Sequence, residues 1–150
     1  MYYCRLLAVV LLFVTLVGCG GGRAQVSGKV VFEDGSPLTK GNIKAESNDG
    51  VEVRGTINQD GTFTLFEIKP GDGIPSGKQY KVWIVNANET ILPATAPSSN
   101  KDGLAVPPAT PPTRKQLVHK DFTRANTTSL TLDVPKGSSK MSHDIPVKKP

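Results

Sequence analysis

From Gln25 onward apolar residues recur at every second position, and no helical period of comparable length appears in the same stretch. This alternation confines the chain to β-structure. In QVSGKVVF, Val26, Val30 and Phe32 share one face while Ser27 and Lys29 take the other, and EDGSPL then turns through Asp34-Gly35 and Pro37. NIKAES sets Ile43 and Ala45 inward against Lys44 and Glu46, and VEVRGTIN sets Val51, Val53 and Ile57 against Glu52, Arg54 and Thr56. Both read as half-buried antiparallel strands. NQDG, Asn58 to Gly61, is a hairpin signal in which Asp60-Gly61 supplies positive φ angles, and TFTLF follows with Phe63 and Leu65 inward. QYKVWIV directs Tyr80, Val82 and Ile84 to one side and Lys81, Trp83 and Val85 to the other, as a central strand. Near the C-terminus SLTLDV alternates Leu130, Leu132 and Val134 with Thr131 and Asp133, and HDIPV offers Ile145 and Val147, with Pro146 consigning that strand to an edge.

Between these parts, residues 86–116 carry Pro93, Pro97, Pro107, Pro108, Pro111 and Pro112 and no sustained period. A stretch of about 30 residues without regular structure is unusual inside a compact domain and is read as a long, partly polyproline-like excursion. The C-terminal strands alone could not bury a core, so it is not a domain boundary. The expectation is one all-β domain over 25–148, a single antiparallel β-sandwich of about seven strands. Its predicted core comprises Val30, Phe32, Ile43, Val53, Ile57, Phe63, Leu65, Tyr80, Val82, Ile84, Leu130 and Leu132.

The N-terminus obeys a different logic. Its apolar run, Leu6 to Val17, is shorter than the roughly 20 residues a spanning helix needs, and it follows Arg5 and precedes small residues. That is the layout of a secretory signal peptide. The run ends in Leu16-Val17-Gly18-Cys19, which resembles the bacterial lipobox. The resemblance implies a signal peptide over 1–18 that is cleaved before Cys19, a diacylglyceryl group on the Cys19 thiol, and acylation of the new amino terminus. Residues 19–24 then serve as lipidated cysteine and flexible tether. Cys4 would leave with the leader, so no pair of cysteines would remain to form an internal disulfide. Several acyl chains hold a protein on a bilayer far better than one. Gly20 rather than aspartate follows the cysteine, which favours the periplasmic face of the outer membrane or the cell surface. Loss of Arg5 leaves 17 basic against 13 acidic residues, and the basic ones are scattered from Arg23 to Lys149. Nothing in that distribution suits nucleic acid, which favours clustered cations with aromatics between them.

VSGKVVFEDGSPLTKGNIKAES, then GTINQDGTFTLFEI, then GIPSGKQYKVWI resemble the carboxypeptidase regulatory-like, or transthyretin-like, β-sandwich domain. The shared pattern is an initial G-x-V strand, a D-G-x-P-L turn, a D-G-x-F hairpin and a G-x-Y-x-V strand, covering Val26 to about Val85. KDFTRANTTSLTLDVPKG is similar to the tail of bacterial envelope lipoproteins that carry this domain, although Thr128-Ser129-Leu130-Thr131 lacks an inner glycine and Lys78-Gln79-Tyr80 has one residue more than the usual G-K-Y. The resemblance implies an Ig-like sandwich in the cell envelope, and it brings no catalytic residues.

The remaining chemistry is sparse. His119 and His143 have no second histidine or cysteine at ligand spacing, whereas zinc needs three or four ligands. Asn58, Asp60 and Gly61, like Asp72 and Gly73, are not followed by a 12-residue calcium ligand series, and turn chemistry accounts for them. No G-x-S-x-G motif is present, and no metal, cofactor or catalytic residue is assigned. Trp83, the only tryptophan, is the candidate ligand contact, since alternation sends it away from the core. Either the proline-rich excursion covers it or it forms a platform for a sugar. The expected function is a membrane-anchored, non-catalytic structural or protein-binding module. Its partners would be the membrane and an envelope protein, with the edge at Ile145 to Val147 and the segment around Pro107 to Pro112 as candidate grips. A carbohydrate-binding module is the alternative, and a hydrolase a distant third.

Overall fold

A computed structural model describes residues 22–91 and 112–150. Among the described residues there is no α-helix, one short 3-10 turn at Lys120–Phe122, and eleven strands. These are β1 (Arg23–Phe32), β2 (Gly41–Ser47), β3 (Glu52–Ile57), β4 (Thr62–Leu65), β5 (Ile74–Pro75), β6 (Lys78–Val85), β7 (Asn88–Ile91), β8 (Thr113–Gln116), β9 (Thr131–Val134), β10 (Lys140–Ser142) and β11 (Ile145–Val147). The all-β expectation holds.

Two sheets share one core, consistent with a sandwich. One is antiparallel in the order β3-β2-β6-β9. The other is organised around β1, which pairs antiparallel with β4 and β5 and parallel with β10 and β11. Val26 and Ser27 pair with both β4 and β10, so those strands flank β1 on opposite edges. The parallel pairs correct the expectation of a purely antiparallel fold. Alternation reports which face a residue takes and carries no information on strand direction, which depends on how the chain returns.

Ten of the twelve expected core residues are buried, and Phe32 and Leu130 are half-buried against the cluster. Both lie where strands end. The Phe32 ring at the close of β1 lies 5.1 Å from the Lys149 ammonium, and Leu130 directly precedes β9. Leu38, Ile74, Ala87, Val118 and Phe122 complete the core from turns, short strands and connections where no period could reveal them.

Two features join the sheets. Past β4 the chain crosses over, and Phe66 exchanges both backbone hydrogen bonds with Arg54 of β3 at 2.9 Å. Within the core, the Tyr80 hydroxyl donates to the Pro75 carbonyl at 2.8 Å, tying β6 to β5. Burial, with the carboxylates Asp49 and Glu67 nearby, pushes the Tyr80 phenol up to about 12 from 10.0. Above pH 10 the unfolded chain therefore releases a proton that the folded protein still holds, and stability falls as pH rises from 10 to about 12. The expected loss is about 2 to 3 kcal/mol. Urea midpoints at pH 9 and 11.5 would read it, and a Tyr80→Phe variant that keeps the same alkaline slope would refute the assignment.

The hairpin between β3 and β4 uses Gly61 alone at positive φ, +81°, with its N–H donating to the Asn58 carbonyl at 2.9 Å. Asp60 instead accepts from the Thr62 N–H and hydroxyl, which hold its carboxyl below the usual carboxylate range. Both ends of the 86–116 excursion are ordered as strands: β7 and β8 pair antiparallel from Asn88 opposite Gln116 to Ile91 opposite Thr113. The root of this arm is pinned to the core by Ala87 and Val118, and residues 92–111 lie outside the described part.

Candidate functional site

The outer face of the β3-β2-β6-β9 sheet carries the densest chemistry near Trp83. Pairing sets Lys44 opposite both Arg54 and Trp83, so Arg54, Lys44 and Trp83 form one row across β3, β2 and β6. Thr56, Asn42 and Val85 form the adjacent row. Trp83 is half-buried, with part of its surface open to solvent. The indole thus points outward, as alternation predicts.

Arg54 is held from two sides. Its guanidinium stands 5.6 Å from the centre of the half-buried Phe66 ring, within cation–π range, and donates to the Ile68 carbonyl at 3.4 Å. Trp83, Lys44, Glu52, Arg54 and Glu67 line a shallow groove of about 210 Å³. A second groove of the same volume lies beyond Lys44 and Arg54, lined by Phe66, Asn42, Thr56, Val85 and Asn86. Asn86 is the only non-glycine residue at positive φ among those described, at +58°, where the chain turns from β6 toward β7. Glu67 is engaged by Arg23 at 2.8 Å. Two aromatic rings, two cations and two side-chain amides can stack on an apolar face and hydrogen-bond a polar rim, the combination a sugar ring or a peptide presents.

Of the neighbours of Trp83, alternation sends Lys44 and Arg54 outward without showing that they share its row. Phe66 was missed. The phase of Phe63 and Leu65 already implies an outward position for it, and only the crossover to β3 brings it beside Arg54.

The other expected sites fare differently. Cys19 and the 1–18 leader lie outside the described residues. The expected tether, 19–24, is too long by two residues, because Arg23 and Ala24 belong to β1 and Ala24 is fully buried opposite Ile74. His119 ends against Asp121, 3.2 Å away, and the His143 N–H donates to the Ser27 carbonyl at 2.9 Å. Among the described residues no three or more His, Cys, Asp and Glu side chains gather as metal ligands. Thr128 is buried and donates to the Val82 carbonyl at 2.7 Å, extending the contact of β9 with β6.

The edge at β11 suits strand addition poorly. Val30 gives its backbone groups to Gly61 and Leu38, so Val31 faces β11 and the backbone of its partner Pro146 faces outward, without an N–H. The next outward carbonyl, of Lys148, accepts from the His119 N–H at 2.8 Å. Pro107 to Pro111 lie outside the described residues.

No protein-family model matches the chain, and no curated protein matches it. Among solved structures, a 9R-lipoxygenase from Cyanothece PCC8801 superposes with a TM-score of 0.40 at 11% identity, over 85% of this chain and 16% of the lipoxygenase. The chain thus spans about a sixth of that enzyme's length.

Proposed function

We propose that this protein is a lipid-anchored, non-catalytic module of the cell envelope, held to the membrane through Cys19 and built on a transthyretin-like sandwich of the carboxypeptidase regulatory-like type. The observation that carries this reading is where the fold begins. The Gly22 carbonyl accepts from both the Ser76 N–H, at 2.8 Å, and the Ser76 hydroxyl, at 2.7 Å, and Ala24 is already core. A packed domain that starts within a few residues of a lipobox cysteine is the arrangement expected when everything before that cysteine is removed. Gly20 after the cysteine supports an anchor at the periplasmic face of the outer membrane or at the cell surface. The outer face around Trp83 is the surface offered to an envelope protein, since the β11 edge lacks a donor at Pro146.

Cys19→Ser should abolish fatty-acid incorporation and release the protein from the membrane fraction. Labelling that survives the substitution would overturn the anchor.

The half-open Trp83 beside Phe66, Lys44 and Arg54 favours a second reading, in which the same face binds a glycan. Because Trp83 is the sole tryptophan, its emission reports on the face directly. On this reading one class of cell-wall or storage polysaccharide shifts or quenches the emission, and Trp83→Ala weakens that binding by about tenfold or more. Emission that no polysaccharide moves would leave the protein-binding reading in place.

A further inference from the structure

The end of the sandwich where β1 begins is also where the most exposed large apolar side chain among the described residues lies. Arg23, the first residue of β1, donates to the Asp72 carbonyl at 2.8 Å and the Gly73 carbonyl at 3.0 Å, and its guanidinium pairs with Glu67. The loop from Glu67 to Gly73 is thereby wrapped around the start of the strand. Within it Ile68 is 70% exposed, and Lys69 and Pro70 beside it are exposed as well. Lys136 adds a cation at the same end, since its side chain lies against Gly77, next to the Ser76 that holds Gly22.

A lone exposed isoleucine is ordinary on a protein surface. Its distance from the anchor makes this one informative. Gly22 is three residue steps beyond Cys19, and a fully extended chain spans at most about 3.6 Å per residue, so Gly22 lies within about 11 Å of the lipidated residue. The headgroup layer of one leaflet is about 5 to 8 Å thick. The leash is barely longer than that layer, and it ends on a backbone carbonyl fixed by two hydrogen bonds from Ser76.

Resting on the lipidation of Cys19 proposed above, we infer that the Glu67–Gly73 loop is a membrane-docking element. Ile68 seats in the interfacial zone of the bilayer, Lys69 and Lys136 face the phosphates, and β1 stands away from the membrane. The hairpin at Asn58 to Gly61 sits toward the opposite end, since Gly61 pairs with Val30 near the close of β1. Ten residues of strand at about 3.3 Å each hold that end about 30 Å from the surface. The lipid anchor therefore fixes an orientation as well as a location, and the Trp83 face is presented sideways along the membrane.

The test places one polarity-sensitive fluorophore at Ile68→Cys or, separately, at Gln59→Cys in the full-length, processed protein. Each protein is reconstituted in vesicles of phosphatidylethanolamine and phosphatidylglycerol containing a headgroup-labelled quencher lipid. Acylation and co-flotation with the vesicles are measured on the same samples. The expected result is blue-shifted emission and several-fold stronger quenching at position 68 than at 59, with the difference lost when a 20-residue Gly-Ser spacer is inserted after Gly21. Acylated, vesicle-bound protein with equal quenching at the two positions would overturn the docking while sparing the anchor. Protein that carries no fatty acid would overturn both.

Discussion

Replacing Phe63 with alanine should cost about 3 to 5 kcal/mol of stability, the range for removing a fully packed aromatic side chain. Phe63 is 2% exposed on β4 and pairs in register with Gly28 of β1. Its ring fills space that no side chain at position 28 occupies, and the ring edge lies 3.2 Å from where a Cβ of Gly28 would be. The surroundings can collapse little. Gly28 has no side chain to move inward, and its own strand is held on the far edge by β10 and β11. Typical domains have 5 to 15 kcal/mol in total, so the variant should sit near the limit of folding. Urea denaturation followed through Trp83 emission would measure it, and a loss below about 1 kcal/mol would show that the ring is not a core element.

The second large effect is expected at Gly28 itself. A Cβ there would stand 1.9 Å from the His143 carbonyl oxygen and 2.6 Å from its carbon. The obstacle is backbone, and that backbone is bonded in place, because the His143 N–H donates to the neighbouring Ser27 carbonyl and the Asp144 carboxylate accepts from the Lys29 N–H at 2.8 Å. Glycine within a strand marks such a close approach. Gly28→Ala must push the C-terminal strand away from β1 and should cost about 3 kcal/mol or more, at the upper end of overpacking effects. Shrinking the facing ring with Phe63→Leu should not rescue it, since the clash is with a carbonyl and not with the ring. Gly35→Ala is the informative comparison. Nothing lies within 4 Å of that position, and only its φ of +79° is at stake, worth about 1 kcal/mol. Hydrogen exchange across β10 and β11 should accelerate in Gly28→Ala and stay unchanged in Gly35→Ala. Comparable losses in the two variants would show that the approach of His143 is not the constraint.

These two positions mark the boundary between what was legible in the sequence and what was not. Phe63 was identifiable as core because it keeps step with Leu65 behind a turn signal, and the same local rule placed Ile43, Val53, Tyr80, Val82 and Ile84 inside and Trp83 outside. The rule is local because successive side chains of an extended chain point to opposite faces whatever their partners. Gly28, in contrast, looked like part of a G-x-V strand pattern, and the need for it arises from His143, 115 positions away in the chain.

The candidate site divides along the same line. That Trp83, Lys44 and Arg54 face outward follows from period two in three separate segments. That they stand in one row, with Phe66 under Arg54, follows from the register of β2 against β3 and β6 and from the crossover after β4. The leader and lipobox proposed for the N-terminus rest on linear patterns alone. Where β1 begins was not legible, because Arg23 and Ala24 carry no strong period and are drawn into the strand by Asp72, Gly73, Ile74 and Ser76. Sequence alone determined the β-class of this protein and the faces of its central strands, because both depend on neighbours a few residues apart. The direction of β1's partners, the core plugs Leu38, Val118 and Phe122, and the grouping around Trp83 were decided by tertiary structure, because each depends on hydrogen bonds and packing between segments whose separation along the chain no local pattern encodes.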